Sequence, residues 1–230
     1  MEFVLSTDDF QILKDKRKNT IFTIDFRLRS DALINSIIAT KQILGATVND
    51  DYKSIAFNAS SVKSFSKYQS DLYRRQGTKN MSYDDALRLI SCLTTQIRYL
   101  IVNESKTFYL YEPANIIVIN DSKFMYLSAE HLMNIRENSI QIDRPFSCLG
   151  FFSPEMIKIN SIPSEINYKV IYYSLGALII YALFNVNITN SDTTSVELDN
   201  IMGPICGTKV YWFILRCLDS DVERRELLYI

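Results

Sequence analysis

The feature that most constrains this sequence is an uncharged apolar run, VIYYSLGALIIYALF, over residues 170–184. The run is shorter than the roughly 20 residues that a helix needs to cross a bilayer. A helix that is apolar on every side, yet too short to span a membrane, is typical of the interior of a large domain. We therefore expect a central buried helix here and no membrane span.

The rest of the chain is large enough to enclose such a helix. It has 230 residues, of which 47% are hydrophobic, and a formal net charge of −1. Because this charge is close to zero, no overall field draws the chain to nucleic acid or to an anionic membrane. The four cysteines form no CxxC pair and the chain has one histidine, so we expect reduced thiols, a cytosol-like compartment and no metal site.

Local patterns predict a β-rich first part and a mainly helical second part. In residues 1–65, β-branched and aromatic segments alternate with polar turns, which predicts strands. Residues 66–80 are polar and are expected to connect the two parts. The predicted strands are FQIL, TIFTIDFRL, ALINSIIATKQIL and SIAFNA.

The second part begins with a predicted amphipathic helix from residue 81, capped by Ser82. The segments NIIVIN and KFMYLS predict a hairpin, and the proline of SPEM is suited to the first turn of a short helix. Polar loops are expected over residues 129–147 and 185–197. Two more helices are predicted in TKVYWFILRCL and DVERRELLYI.

Four fragments of the second part follow one another in a specific order. They are FYLYEPAN (108–115), SPE (153–155), YYSLG (172–176) and LRCLDSDVERR (215–225). In order and spacing they resemble the HRDLKPEN, APE and DxWSxG motifs and the late arginine of the protein kinase family. The resemblance covers residues 76–230 well and the first 75 poorly. It implies an α+β, kinase-like fold with a reduced, mostly β amino-terminal lobe (1–75) and a mainly helical carboxyl-terminal lobe (76–230).

The resemblance assigns a family position to individual residues. Asn115 matches the metal-binding asparagine of the family's catalytic loop, and its side chain is expected to hold the backbone of this loop. In the family the late arginine pairs with the glutamate of APE, which implies an ion pair between Glu155 and Arg225. The substituted or vestigial positions are Phe108 (His), Tyr109 (Arg), Leu110 (catalytic Asp), Glu112 (Lys), Ser128 (the Asp of DFG) and Lys41 (the phosphate lysine of VAIK, here IATK).

The groups that phosphoryl transfer requires are largely missing. The reaction needs a base, magnesium ligands, a lysine fixed by a glutamate, and a glycine-rich loop over the phosphates. Leu110 neither accepts a proton nor binds magnesium, and the uncharged Ser128 is a weak substitute for a carboxylate. The first glycine of the chain is Gly45, and no glutamate between positions 2 and 104 is available to Lys41. The short interval from Lys41 to Asn115 further predicts a first lobe without the family's regulatory helix.

We therefore expect a pseudokinase, a catalytically inactive protein that binds other proteins as a scaffold or regulatory module, with no cofactor and a cytoplasmic location. An unorthodox active serine/threonine kinase, or another ATP-using transferase, is an alternative in which Glu112 or Glu130 supplies the acid. The lone His131 has no catalytic constellation near it in sequence. The abundance of Ile, Asn, Ser and Tyr is typical of AT-rich genomes such as those of large DNA viruses. A second alternative is thus a structural virion component, located in the host cytoplasm or the virion.

Overall fold

The fold is mixed α+β, with a β-rich first part followed by a mainly helical second part. A computed structural model describes residues 1–146, 150–188 and 195–230 of the chain. The first part is a five-stranded antiparallel sheet in the order β1-β2-β3-β5-β4, with helix α1 inserted between β3 and β4. These elements are β1 (Glu2–Ser6), β2 (Phe10–Lys14), β3 (Ile21–Phe26), α1 (Asp31–Ala39), β4 (Leu44–Val48) and β5 (Ser54–Asn58).

Helix α1 corrects two expectations about the first part. Its isoleucine-rich sequence predicts a strand, because β-branched residues favour extended backbone. Instead, the Ser30 hydroxyl accepts the backbone N–H of Leu33 at 3.4 Å and caps a helix. Buried Leu33, Ile34 and Ile37 recur at helical spacing, and α1 packs on the long helix of the second part. The prediction of a strand in ALINSIIATKQIL is therefore wrong, as is the expectation that residues 1–65 consist only of strands and polar turns.

Lys41 is also placed differently from the prediction. It does not lie in a strand but follows the end of α1, where its backbone has a φ of 53°. Its side chain is exposed and has no ion pair among the described residues. The prediction of a VAIK-like strand that presents Lys41 is therefore wrong.

A three-stranded sheet connects the first part to the second. Strand β6 (Val62–Ser64) pairs antiparallel with β8 (Ile116–Ile119), and β8 forms the predicted hairpin with β9 (Lys123–Tyr126). Helix α2 (Phe65–Gln76) follows β6 directly and occupies most of the segment expected to be a polar connection. It ends at Gly77, whose φ of 73° is readily adopted only by glycine.

The predicted long and central helices are confirmed. Helix α3 (Tyr83–Glu104) begins at Ser82, whose hydroxyl accepts the backbone N–H of Asp85 at 3.1 Å. Helix α5 (Val170–Phe184) is buried on nearly all sides between α3 and helix α7 (Lys209–Cys217). None of the helices in the described ranges is long and apolar enough to cross a bilayer.

The remaining elements refine the prediction for the loops. The segment expected to be irregular contains two strands, and the last predicted helix is only a short 3₁₀ turn followed by irregular backbone. The 185–197 loop lies partly outside the described residues, and a helix already begins at residue 195. These elements are β7 (Lys106–Phe108), β10 (Leu132–Asn134), β11 (Ser139–Ile142), α4 (Pro154–Ile157), β12 (Ser164–Asn167), α6 (Ser195–Met202), and the 3₁₀ turns Pro113–Asn115, Gly203–Ile205 and Val222–Arg224.

One hydrophobic core runs through both parts of the chain. It includes Phe10 and Ile24 of the first sheet, Leu93 of α3 and Leu178 of α5, each fully buried. A second, smaller cluster lies beside it and contains Tyr109 and Leu110. The loop after β7 is thus placed between two apolar clusters, which fixes the side chains that follow it.

Candidate functional site

A cavity of about 670 Å³ lies where the β1–β2 turn meets the loop after β7. It brings together five of the residues that the sequence singles out, whereas Lys41 does not line it; the five are Tyr109, Glu112, Asn115, Glu130 and His131. The cavity is lined by Ser6, Thr7, Asp8, Asp9, Arg27, Tyr109, Glu112, Ala114, Asn115, Glu130, His131, Arg144, Pro145 and Phe146.

Asp9, at the end of the β1–β2 turn, is the centre of the hydrogen bonding at this cavity. Its Oδ2 accepts hydrogen bonds from Asn115 Nδ2 at 2.9 Å and from Ser128 Oγ at 2.8 Å. Its Oδ1 accepts a longer one, 3.4 Å, from the backbone N–H of Glu130. Asn115 and Ser128, which the kinase resemblance aligns with metal-binding positions, therefore both bind the same carboxylate of this chain.

The β1–β2 turn is shaped so that Asp9 points inward. The Thr7 hydroxyl accepts the backbone N–H groups of Asp9 and Phe10 at 3.1 and 3.2 Å. The Asp9 carbonyl in turn accepts the backbone N–H of Arg27 at 2.9 Å. Asp9 is buried, whereas the neighbouring Asp8 is exposed.

The expected role of the Asn115 side chain needs correction. Its amide reaches the carboxylate of Asp9, on a different element, rather than the backbone of its own loop. The loop is held by main-chain bonds instead: Asn115 N–H donates to Glu112 O at 3.0 Å, and Leu127 N–H donates to Asn115 O at 3.0 Å. Asn115 thus links the second part of the chain to the first sheet.

Among the described residues, no arginine or lysine forms an ion pair with the acidic groups of the cavity, although Arg27 and Arg144 line it. Burial is the main cause that raises the pKa of Asp9, and the hydrogen bonds from Ser128 and from Glu130 N–H only partly offset it. The pKa of Glu112 is also raised, first by burial and then by the negative charges of Asp9 and Asp8. Burial therefore disfavours the charged forms of these two carboxyl groups.

His131 is held as a neutral donor at the wall of the cavity. Tyr126 Oη accepts the backbone N–H of Glu112 at 3.2 Å and lies 2.5 Å from His131 Nδ1. Because a buried hydroxyl needs an acceptor for its own proton, Tyr126 donates to Nδ1 and the proton of His131 is on Nε2. Burial, with the nearby charge of Arg144, lowers the pKa of His131 to about 4. The 4.0 Å approach of His131 Nε2 to Glu112 Oε2 is consequently not an ion pair at neutral pH.

Leu110 is buried away from the cavity. It is 2% exposed and packs in the smaller apolar cluster with Phe152, Met156 and Val170. Gly150 approaches it so closely that a Cβ at that position would lie 2.5 Å from Leu110 Cδ1. Leu110, which the kinase resemblance aligns with the catalytic base, therefore neither lines the cavity nor carries a titratable group.

The flanking residues Phe108 and Tyr109 have separate structural roles. Phe108 is fully buried in the main core, where its ring packs edge-on against Tyr126 at 4.8 Å between centroids. Tyr109 forms part of the cavity wall, with its ring 5.0 Å from that of His131. Burial is the main cause that raises the pKa of Tyr109 to about 12, so it is neutral at physiological pH.

The ion pair expected between Glu155 and Arg225 is present. Arg225 donates from Nη1 and Nη2 to the two carboxylate oxygens of Glu155, at 3.0 and 2.7 Å. Arg225 Nε donates to the carbonyl of Asp219 at 2.9 Å, and the guanidinium lies over the ring of Tyr173. Arg225 is 1% exposed, whereas the Glu155 side chain is 27% exposed, so the pair ties α4 to the segment after α7 with its positive charge inside the protein.

The sequence alone did not indicate the roles of Asp9 and Tyr126. The partners of Asp9 lie more than 100 residues away, and its local sequence, STDDF, has the ordinary composition of a turn. Tyr126 is the last residue of β9, a hydrophobic strand whose pattern predicts only burial in the core. Within the described ranges, no cluster of His, Cys, Asp or Glu side chains is arranged to hold a metal ion.

Comparisons with known proteins add no relative to this description. A scan against protein-family models found no match, and a search of curated proteins found no significant match.

Proposed function

We propose that this chain is a pseudokinase, a catalytically inactive kinase-like protein that acts by binding other proteins as a scaffold or regulatory module. The α+β architecture, with a β-rich first part and later helices, supports this proposal. The buried bidentate pair of Glu155 and Arg225 supports it further, because the kinase resemblance pairs these two positions.

The observation that carries the proposal is the shared carboxylate partner of Asn115 and Ser128. In the kinase resemblance these residues occupy the positions that hold magnesium. Here both donate to Asp9, which leaves their hydrogen-bonding groups occupied by the protein itself. A magnesium ion at this position would have to break two buried hydrogen bonds and would gain only neutral oxygen ligands from these two side chains.

The position of the missing base supports the same reading. Leu110 is enclosed in an apolar cluster, so a proton acceptor is absent from the place where the resemblance expects one. Glu112, the substitute acid in the alternative reading, has a raised pKa and stands beside a neutral histidine. Among the described residues no arginine or lysine forms an ion pair with Glu112, although Arg27 and Arg144 line the same cavity. Glu112 is therefore not part of a lysine–glutamate pair of the kind that orients the phosphates in phosphoryl transfer.

A thermal melt with nucleotide and divalent ion tests the proposal. Purified protein is heated with ATP and Mg²⁺ or Mn²⁺, with an active kinase treated in parallel. A ligand at 100 times its Kd stabilises the folded state by about 2.7 kcal/mol. For a chain of this size that corresponds to a rise of roughly 5–10 °C in melting temperature. We expect no rise and no autophosphorylation; a metal-dependent rise would instead favour the active-transferase alternative.

A further inference from the structure

Three hydrogen-bond donors from the second part of the chain converge on one carboxylate position. Asn115 Nδ2 and Ser128 Oγ donate to Oδ2 of Asp9, and the backbone N–H of Glu130 donates to Oδ1. Asn115 is 5% exposed and Ser128 is fully buried, so both donors are largely removed from water. Donors on both oxygens of one carboxyl group are an arrangement suited to binding a carboxylate.

These donors are oriented by contacts that do not involve Asp9. The Ser128 hydroxyl accepts the backbone N–H of His131 at 3.2 Å, which leaves its own proton directed toward the carboxylate. Asn115 belongs to a 3₁₀ turn whose carbonyl is bound by Leu127 N–H. The donor set is therefore preorganised by the second part of the chain.

The β1–β2 turn that supplies Asp9 is attached to these donors by one side chain. Among the described residues, the hydrogen bonds between this turn and residues after 100 all end on the Asp9 carboxylate. The turn keeps its shape through Thr7, which binds the backbone of Asp9 and Phe10. Asp9 is thus a tethered occupant that a separate carboxylate could replace without unfolding the turn.

We propose that Asn115, Ser128 and the backbone N–H of Glu130 form a carboxylate-binding cradle that Asp9 fills from within the chain. The ligand class is a carboxylate carried by a short side chain, namely an aspartate or glutamate of a protein partner that displaces the side chain of Asp9 and leaves the β1–β2 turn in place. That a protein partner supplies this carboxylate rests on the proposed function, whereas the arrangement of the three donors does not. The adjoining cavity of about 670 Å³ provides room for the residues that flank such a side chain.

Chemical rescue tests the cradle directly. Asp9→Ala removes the tethered carboxylate and leaves the three donors in place. Its melting temperature is measured with increasing formate or acetate, against sodium chloride at equal ionic strength. We expect a saturable rise of several degrees in Asp9→Ala and none in the wild type, because a tethered group acts at millimolar or higher effective concentration.

Matched variants separate cradle binding from general salt effects. Asp9→Asn keeps an acceptor in the cradle, and Asp15→Ala removes an exposed turn carboxylate that binds only local backbone; neither is expected to respond. The double variant Asp9→Ala with Ser128→Ala should lose the rescue. If Asp9→Ala does not fold, Asp9→Ser replaces it, since its shorter side chain also vacates the carboxylate position.

The outcomes that overturn the cradle are specific. An equal carboxylate effect in all variants, no effect in Asp9→Ala and Asp9→Ser, or equal rescue by inorganic phosphate would each contradict a carboxylate site. No nucleotide is present in this experiment. Failure of the rescue is therefore distinguishable from failure of the proposed function, which the melt with ATP and metal ion tests.

Discussion

Asp9 and Asn115 lie 106 residues apart in the sequence and meet through a buried hydrogen bond of 2.9 Å. The bond joins the first turn of the β-rich part to the loop that resembles a kinase catalytic loop. It closes the position where that resemblance would expect a metal ion. The same pair therefore bears on both stability and function.

Asp9→Ala is expected to lower the free energy of unfolding by about 1–3 kcal/mol, because it leaves buried donors of Asn115 and Ser128 without an acceptor. Urea denaturation monitored by circular dichroism measures this change. Asp9→Asn is the matched control, since its amide oxygen still accepts one or both hydrogen bonds and its burial carries no charge. A loss in Asp9→Asn as large as that in Asp9→Ala would contradict this account, in which an acceptor oxygen at position 9 satisfies the donors of Asn115 and Ser128.

The stability contributed by Asp9 should depend on pH with a definite sign. Burial raises the pKa of Asp9 above its ordinary value of 3.8, so the folded state binds the proton more tightly than the unfolded state. Its ionisation therefore reduces the free energy of unfolding as the pH rises through the raised pKa. The free energy of unfolding of the wild type relative to Asp9→Asn should accordingly fall as the pH rises from the ordinary pKa of 3.8 through the raised pKa, and level off above it.

Glu155 should show the opposite dependence and serves as the internal comparison. Burial alone would raise its pKa, but the hydrogen bonds and charge of Arg225 outweigh burial and hold the pKa below its ordinary value of 4.5. The ionised form therefore stabilises the fold above that value, and the stabilisation is lost as the pH falls through the lowered pKa. Glu155→Gln should flatten this acid-side loss; an unchanged pH profile would contradict the pair's contribution.

Removing Glu155 tests the buried pair at neutral pH. Glu155→Ala leaves the guanidinium of Arg225 without its counter-ion, and breaking a buried pair in this way costs about 3–5 kcal/mol. Arg224 offers a neighbouring control, because its contact with Asp221 is at the surface and such pairs are worth about 0–1 kcal/mol. Equal destabilisation of Glu155→Ala and Arg224→Ala in urea would contradict this account.

Restoring an acid at position 110 should damage the fold without creating activity. The Leu110 side chain lies in an apolar cluster, so an aspartate there would be buried without a partner. We expect Leu110→Asp to unfold at lower urea concentration than Leu110→Ala, whose cost is about 2–5 kcal/mol. Leu110→Met, which preserves volume, should cost less than about 1.5 kcal/mol. A folded Leu110→Asp protein that transfers phosphate would contradict the structural role assigned to this residue.

Strong periodicity and complete apolarity were reliable guides to the fold. The stripe of α3 with its Ser82 cap, the apolar α5 and the β8–β9 hairpin all appear where the sequence predicts them. In each case local propensity and tertiary burial favour the same structure. These segments carry enough local information to be assigned without their neighbours.

The misassigned segments are those in which local preference and tertiary packing disagree. The isoleucines of α1 favour strand, yet the Ser30 cap and burial against α3 favour helix. Helix α2 is polar along most of its length, and this composition favours a connecting segment. The residues that cap the helix, Ser64 and Gly77, favour a helix instead. The last segment, predicted as a helix, is instead held by contacts to α3, such as the Arg98 bond to the Leu227 carbonyl.

The candidate site was predictable only in part. Motif order predicted the ion pair of Glu155 and Arg225, which the structure contains. It singled out Asn115, but not the partner of its side chain. Asp9 could not be found this way, because a contact across more than 100 residues leaves no local pattern. Lys41 was misplaced because the predicted strand on which it was positioned is a helix.

A crystal structure with Mn²⁺ and a non-hydrolysable ATP analogue tests the central claim most directly, because the anomalous signal of manganese locates any bound ion. We predict that Asp9 keeps its hydrogen bonds to Asn115 and Ser128 and that no manganese peak lies beside them. A manganese ion ligated by Asn115 together with Asp9, Glu112 or Glu130 would contradict the account.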